Sequence, residues 1–589
     1  MTENTRITHT RNTSIELLTT HRKNLHTLTS TATPSGDTRN AITTSVVQAI
    51  HQLWDNTITG LQLPPTAHDR IVLAGVGSLG RGDMGLHSDI DLVLIHDTHG
   101  ISTEAITQLA ENLWYPLWDA GIELDHSVRS LSQCRTVATH DIAAAVGLLS
   151  IRPIAGNAAL AYTASHGVLT DWRAASRRRL PELIHSAQQR SQQHGELAYH
   201  SEPDLKECRG GLRDATLLDA LAATWIVDKP HGAVDTAVDT LLNARDALHC
   251  VAGRNTNRLL VTYLDEVADR CGWNDGDEFL TNLAQAGRVI SYALDTTIRR
   301  AKSALAKPQG QGRTLVVRGR RTAPRLRTVA EGIVEHDGEL VLTTDTRTRN
   351  DSVLPFRMAA TAAHTGLPIS PSALPTLAAC PRIAHPWPQQ ARAAFLHVLG
   401  AGVAQIPVWE SLDQGEIITQ WIPEWHAVRN RPQRSHIHRH TVDRHLIEVV
   451  SRMRPWLKQV QDPTIMLLAA FFHDIGKQKD VTDHSEYGAS RIPDVLAPMG
   501  WTPTVTRDVM LLVRHHLLLS RLATQEDNAD PKTVEKLVAA VDNRADLLTA
   551  LRALTEADAA SLATSQWTNW RAGLVDTLYR KALSQIRST

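Results

Sequence analysis

GSLGRGDMGLHSDID, from Gly77 to Asp91, follows one short apolar run, Ile71 to Val76, and leads into another, Ile90 to Ile95. Both runs have the length and β-branched content of buried strands, which predicts a strand, a Gly-rich connection and a second strand. Gly77 lets backbone N–H groups come close to an anion, and the Ser78 hydroxyl adds a donor. A Gly-Ser turn alone is a weak signal; Asp89 and Asp91 make it a strong one. Residues i and i+2 of a strand share a face, so both carboxylates point the same way, about 7 Å apart along the chain. Two like charges beside Ile90, Leu92, Val93 and Leu94 are unfavourable unless a cation neutralises them. Oxygen ligands of this kind suit Mg²⁺ bridging the oxygens of a nucleoside triphosphate. A second metal would activate an acceptor hydroxyl for in-line attack on the α-phosphorus. A third predicted strand, Ile122 to Val128, offers Asp125 or Glu123 as a further carboxylate. Spacing does not choose between them, and Asp125 is carried forward as the candidate.

Around this core the pattern is mixed and then mostly helical. Ile42, Val46, Ile50, Leu53 and Trp54 recur at the period of an amphipathic helix, and a second helix is predicted around Ile106 to Leu117. Residues 40–165 therefore read as an α/β domain, preceded by a flexible polar tail over residues 1–39. Residues 166–310 are helical in pattern, interrupted at Gly210-Gly211. Residues 311–425 read as a linker region, with a hairpin turning at Asp337-Gly338 and short helices among prolines. Residues 426–589 are again helical. The fold class is α+β, mostly helical. Formal net charge is −1, which gives no broad electrostatic footprint for nucleic acid. The runs Arg177-Arg178-Arg179 and Arg313 to Arg327 are expected to be solvated faces. No apolar run is long enough to span a bilayer, and the Thr-rich N-terminus is not a secretory signal. Five scattered cysteines without CxxC spacing predict reduced, buried thiols in a cytoplasmic protein.

A second carboxylate cluster, FFHDIGK, runs from Phe471 to Lys477. Met466 to Phe472 is apolar on every side, so its helix lies at the centre of a domain, and Asp474 at its end needs a strong partner such as a metal ion. His445 sits at the edge of the stripe Val442, Leu446, Val449 and Met453, facing inward. Leu547, Leu551 and Leu554 form one helix face on which Asp558 comes next, and a carboxylate on a buried stripe is a liability or a ligand. His445, His473, Asp474 and Asp558 together form one expected divalent-metal site, with His473 and Asp474 catalytic. Water on that metal would be a nucleophile at neutral pH, able to attack a phosphodiester. Lys477 is read either as a stabiliser of phosphate charge or as a helix cap.

The form G-S-L-G-R with S-D-I-D resembles the nucleotidyltransferase superfamily that shares the DNA polymerase β palm, above all its PII uridylyltransferase branch. Leu79 stands where an aromatic residue is usual. The resemblance implies that Gly77, Ser78, Arg81 and Ser88 help bind the nucleotide. Lys206-Glu-Cys-Arg-Gly-Gly-Leu-Arg-Asp214 resembles a signature of the same family, which adds Lys206 and Arg213 as nucleotide contacts or as a seal above the cleft. H…HD…D resembles the HD phosphohydrolases, in some of which positions like His484, His515 and His516 bind further metal. For these three, surface and supporting roles are equally open.

The two halves in this order, with HRHTVDRH, DHSEYGA, VRHHLLLS and LTEAD, resemble bifunctional PII uridylyltransferase/uridylyl-removing enzymes from about residue 40 to the end. The resemblance implies transfer of UMP from UTP to a tyrosine of the PII signalling protein, with Mg²⁺ in the transferase site. It also implies hydrolysis of that bond in the HD domain, with Mg²⁺, Mn²⁺ or a similar ion. Nothing from Gly77 to Asp91 distinguishes the base, so ATP and adenylylation of PII stand as the alternative. tRNA nucleotidyltransferases with a C-terminal HD domain are a further class, disfavoured by the near-zero charge and the GSLGRGD pattern. Intact Asp89, Asp91, His473 and Asp474 argue against a non-catalytic binder. Members of the family continue into two glutamine-sensing ACT domains. The sequence stops at Thr589, about thirty residues after Asp558, so either it is a truncated piece or the protein is regulated differently, and direct glutamine control is in doubt.

Overall fold

The computed structural model describes residues 15–16, 18–20, 33–61, 68–97, 101–306, 316–317, 320–321, 326–344, 350–433, 435, 437–460, 462–563 and 565–588. The chain forms two compact units, Met1–Ala198 with Glu202–Lys307, and Tyr199–Ser201 with Pro308–Thr589. The first is a small sheet among helices and the second is nearly all helical, so the architecture is the mostly helical α+β class that the sequence predicts.

In the first unit, β1 (Ile71–Gly75), β2 (Ile90–His96), β3 (Leu124–Ser130) and β4 (Arg152–Gly156) form one sheet in the order β3-β2-β1-β4. β1 is antiparallel to β2 and β4, whereas β3 is parallel to β2. Helix α1 (Gly36–Leu61) begins ahead of the expected residue 40 and covers one face. Its first turn is closed by the Thr38 amide donating to Ser35 Oγ at 3.2 Å. Arg39 is buried because Asp239, Asn243 and Asp246 all accept from its guanidinium. Leu18 is buried in the same core, so the part of the expected tail that is described is anchored; the rest lies outside the described residues. Connection α2 (Gly77–Arg81) follows β1, and α3 (Thr103–Asp119) makes the crossover that a parallel β2–β3 pair requires.

Alternation along the strands decides what each sheet face touches. Ile71, Leu73, Ile90, Leu92 and Leu94 pack on α1 and α3. Val72, Ala74, Val93 and Ile95 share a core with α4 (Leu212–Ala222), α5 (Ala233–Ala252) and α6 (Gly276–Ala306). The helices after residue 165 thus complete the hydrophobic interior of the sheet. Arg179, expected on a solvated face, is buried and donates to the Ala138 carbonyl and to Glu182. Most of Arg313 to Arg327 lies outside the described residues.

In the second unit, β5 (Arg327–Ala330), β6 (Ile333–His336) and β7 (Glu339–Leu342) form an antiparallel meander. The predicted hairpin turns at Asp337 and Gly338, both at positive φ, as a tight turn between twisted strands needs. Residues 350–425 form short helices whose aromatic side chains enter the core of the following helices: Trp409 and Trp425 each stack on Phe471 with centroids 5.1 Å apart. The helices that carry the second cluster are α7 (Val442–Arg452), α8 (Thr464–Phe472), α9 (His484–Leu496), α10 (Pro503–His515) and α11 (Ala545–Ser561). All five cysteines are free; Cys134, Cys208 and Cys380 are buried, while Cys250 and Cys271 are only partly so. Among the described residues no single helix is long and apolar enough to cross a membrane.

Two candidate phosphoryl sites

The first site lies where β1 meets α2. Gly77 has φ +58°, and a Cβ there would stand 2.0 Å from Asp91 Oδ2, so only glycine lets this turn close against the carboxylate. Val76 donates to the Asp91 carbonyl at 3.0 Å, which fixes the turn on β2. The Ser78 hydroxyl is buried and has no hydrogen-bond partner. An unsatisfied buried hydroxyl is costly unless something else occupies its donor, as a phosphate oxygen does.

Asp91 pairs in register with Asp125 on the parallel neighbour, so the two share the sheet face. Burial is the main reason the Asp91 carboxyl is pushed up to about 6. The charges of Asp89 and Asp125 add to this, while Lys206 and Arg81 oppose it. Three carboxylates and two cations thus converge on one point. Glu123 does not join them: its carboxylate accepts from Asn255 at 3.5 Å and lines a cavity with Ile42, Met84 and Ile122.

Three predicted nucleotide contacts are already engaged. Arg81 donates to both Asp83 oxygens, at 2.8 and 3.2 Å. Ser88 Oγ accepts from the Gly85 amide at 3.0 Å and closes the turn before β2. Arg213 donates to Glu207 at 3.0 Å and is not among the groups that shift Asp91. Gly210 at φ +83° would place a Cβ 2.3 Å from the Gly287 carbonyl, and its amide donates to the buried Asp214. The glycine pair is therefore what seats the Lys206 segment against α6. Asp214 is buried and also accepts from the Arg190 guanidinium, so it ties the glycine turn to the preceding helix.

The cost of a buried negative cluster has a sign that can be measured. In the unfolded chain Asp91 titrates near 3.9, so its protonated form stabilises the fold fully below that value. The contribution is lost as pH rises through about 6. Asp91→Asn keeps the shape and removes the charge. In metal-free buffer it is expected to raise the Tm at pH 7.5 by roughly 2–5 °C, with a much smaller gain at pH 4, as calorimetry at the two pH values will report.

The second site lies among α7, α8, α9, α10 and α11. His445, His473 and Asp558 bring ligand atoms within 4.8 Å of one another, and so do Asp474, His484 and His516. His445 Nε2 is 3.1 Å from Asp558 Oδ1 and 3.4 Å from Asp474 Oδ2. Asp474 Oδ1 is 3.4 Å from His484 Nε2 and 3.5 Å from His516 Nε2. Asp474 therefore stands between the two groups.

The outer hydrogen bonds fix which nitrogen faces inward. His473 Nδ1 is 2.9 Å from the Ala470 carbonyl, and His516 Nδ1 is 2.7 Å from that of Val513. Ser561 Oγ donates to the Asp558 carbonyl, so it must accept from His445 Nδ1 at 2.9 Å. With the rings neutral, the Nε2 lone pairs of His445 and His473 then face each other at 3.2 Å. A shared divalent ion relieves that arrangement, and without one a proton on His445 does: burial opposes that charge, but Asp474 and Asp558 outweigh it and raise the His445 pKa above its ordinary value. Nitrogens about 3 Å apart suit a shared divalent ion with bonds near 2.1 Å. The buried Asp474 Oδ1, which has no hydrogen-bond partner, points to the same need. Burial works against charge on Asp474, yet Lys477 at 2.6 Å, His473 and His445 outweigh it and hold the carboxyl well below its usual range.

Four predicted ligands, His445, His473, Asp474 and Asp558, thus come together. His484 and His516 join them, and His515 does not. The signal for this pair was Gly476 in HDIGK: a Cβ there would lie 2.1 Å from the His484 carbonyl and 2.5 Å from the Gly488 amide. Close packing of α9 on that turn brings His484 to Asp474.

A small sheet with clustered carboxylates and a helical His/Asp centre have the layouts of a nucleotidyltransferase-type domain and of an HD domain. Comparisons with known families agree: the GlnD PII-uridylyltransferase model matches residues 178–298, the HD domain model 442–551, and the model described as "Putative nucleotidyltransferase DUF294" 20–136. The chain is 42% identical over 552 residues to the bifunctional uridylyltransferase/uridylyl-removing enzyme of Streptomyces coelicolor, covering 91% of this chain and 64% of that protein. The Mycobacterium tuberculosis protein of the same name is 40% identical, with 86% and 63% covered. The Corynebacterium glutamicum one is 32% identical, with 84% and 69% covered. The chain belongs to the family of bifunctional uridylyltransferase/uridylyl-removing enzymes, and spans a little under two thirds of the first two relatives.

Proposed function

We propose that the first site transfers UMP from UTP to a tyrosine of the PII signalling protein, and that the second removes it. The observation that carries the transfer reading is the face shared by Asp91 and Asp125 beside the turn that only Gly77 permits. Asp89 and Asp91 hold Mg²⁺, and Gly77, Ser78, Lys206 and Arg81 hold the triphosphate; Arg81 keeps its remaining N–H groups free of Asp83 for this. The tyrosine oxygen attacks the α-phosphorus, the bond to pyrophosphate breaks, and Asp125 takes the tyrosine proton.

At the second site water attacks the phosphorus of the tyrosyl phosphodiester and the tyrosine oxygen leaves. His445, His473, Asp474 and Asp558 hold one divalent ion, with His484 and His516 completing a second position against Asp474. When bound, such ions supply positive charge against the growing phosphate charge and make water a better nucleophile. Lys477, tied to Asp474 and to Gln433 at 2.9 Å, places a fixed positive charge at the same point. Residues 40–165 with 166–310 serve transfer and 426–589 serve removal. Free cysteines support a reducing, cytoplasmic setting.

The test is incubation with PII, Mg²⁺ and either UTP or ATP, read by intact-protein mass. PII is expected to gain one UMP per modified subunit with UTP and nothing with ATP. A gain with ATP alone would make the donor ATP, and no gain with either would remove PII as the acceptor.

A further inference from the structure

The outer edge of the transferase sheet is β3. Ile90 donates to the Glu123 carbonyl at 2.9 Å, and the register pairs Ile90 with Leu124. In a parallel ladder this turns the N–H and C=O groups of Leu124, His126 and Val128 away from β2, toward the open side. Among the described residues no strand pairs with that side. Sheets ordinarily blunt such an edge with Lys, Pro or a bulge. β3 reads LDHSVRS: its charged residues, Asp125 and Arg129, both lie on the carboxylate face, it has no Lys or Pro, and its ladder with β2 runs from Ile90 to His96 without a shift.

An aromatic patch borders the edge. Tyr115 is 44% exposed, Trp118 43% and Val128 38%. The His126 ring lies with its centroid 5.2 Å from those of both Trp114 and Trp118, and the rings of Tyr115 and Trp118 are 5.6 Å apart. Large aromatic groups left in water are informative, and they are the commonest anchors of protein recognition. Strand alternation sets the two faces: Asp125 shares a face with Asp91, while His126 turns to the opposite face, toward Trp118.

Resting on the transferase reading, we infer that β3 is the docking edge for the acceptor protein, whose tyrosine-bearing segment adds as a fifth strand. A strand laid about 4.8 Å from β3 places one side chain level with Asp125, on the carboxylate face. That side chain is the acceptor tyrosine. Its two neighbours fall on the other face, over His126 and Trp118. Backbone bonds to His126 and Val128 give affinity, and the alternate side chains give register. The occupant is an extended polypeptide, because a nucleotide or small acceptor engages neither a strand edge nor an aromatic surface behind the sheet. The edge is continuous with the carboxylates that must receive the acceptor hydroxyl.

Two variants of the full chain test this with PII as the acceptor. Tyr115→Ala with Trp118→Ala removes the patch. Val128→Pro removes an outward N–H while leaving the ladder with β2 intact. Each is expected to raise KM for PII by about tenfold or more, with KM for UTP within about twofold and kcat at saturating PII retained. An unchanged KM for PII in both folded variants overturns the docking edge. A parallel rise in KM for UTP also overturns it, by showing that the patch only supports the nucleotide site. If the unaltered chain transfers nothing to PII, the transferase reading itself fails, and the docking edge falls with it.

Discussion

Asp91→Ala is expected to abolish nucleotide attachment to PII, by roughly a factor of 10³ or more, while removal from PII modified beforehand stays within about twofold. The size follows from what Asp91 does in the sheet. It is the central member of the acid cluster, in register with Asp125 and two residues after Asp89. It is also the carboxylate against which Gly77 closes. On the proposed reading, removing its side chain takes away a metal ligand, while the backbone bond from Val76 to the residue 91 carbonyl still holds the turn that presents Ser78. Alanine removes a charge the fold holds at a cost, since burial pushes the Asp91 carboxyl up to about 6. The variant therefore folds at least as well as the parent at neutral pH, and lost transfer reports chemistry. Every group of this site comes from the first unit, so the His/Asp centre keeps its ligands. Mass spectrometry of unmodified and pre-modified PII measures both directions. Retained transfer above about a tenth of the parent rate would remove Asp91 from the catalytic set.

What could be read in advance was what depends on neighbours along the chain. The Asp89/Asp91 pair follows from strand alternation, and Asp558 from a leucine stripe with a helical period; both are local. The choice between Asp125 and Glu123 was not local. It depends on which partner each carboxylate meets: Asp125 lies in register with Asp91, whereas the Glu123 carboxylate accepts from Asn255 at 3.5 Å. β4 carried little signal of its own. It holds Pro153, which edge strands tolerate, and it owes its place to β1. His484 and His516 sit at the ends of different helices, and only the approach of α9 to Gly476 brings the first beside Asp474. Arg179 read as surface charge because its acceptor, the Ala138 carbonyl, lies on a different helix. Each point that was left open or missed is a contact between elements distant in sequence, where charge and glycine carry the information but composition does not say which partner they have.

His473→Ala combined with Asp474→Ala is expected to have the reverse effect. Removal of UMP from modified PII falls by roughly 10³-fold or more, and attachment stays within about twofold. One change deletes a nitrogen from the first ligand group and the other deletes the only carboxylate of the second, so neither position keeps its full set. The substitutions also remove a conflict. With Asp474 present and no metal, the centre holds a buried carboxylate among imidazoles, balanced mainly by Lys477. Without His473, the opposed lone pairs at 3.2 Å disappear. Two small cavities are left, and Lys477 loses its partner but keeps Gln433 and partial exposure to solvent. Circular dichroism then confirms folding, and elemental analysis of the purified protein should show less bound divalent metal than in the parent. The milder variant Asp474→Asn, which keeps volume and hydrogen-bonding capacity, should lose removal nearly as completely; if it does not, the charge of Asp474 is not what holds the ions. Loss of both activities in both folded variants, this one and Asp91→Ala, would falsify the division of labour between the units.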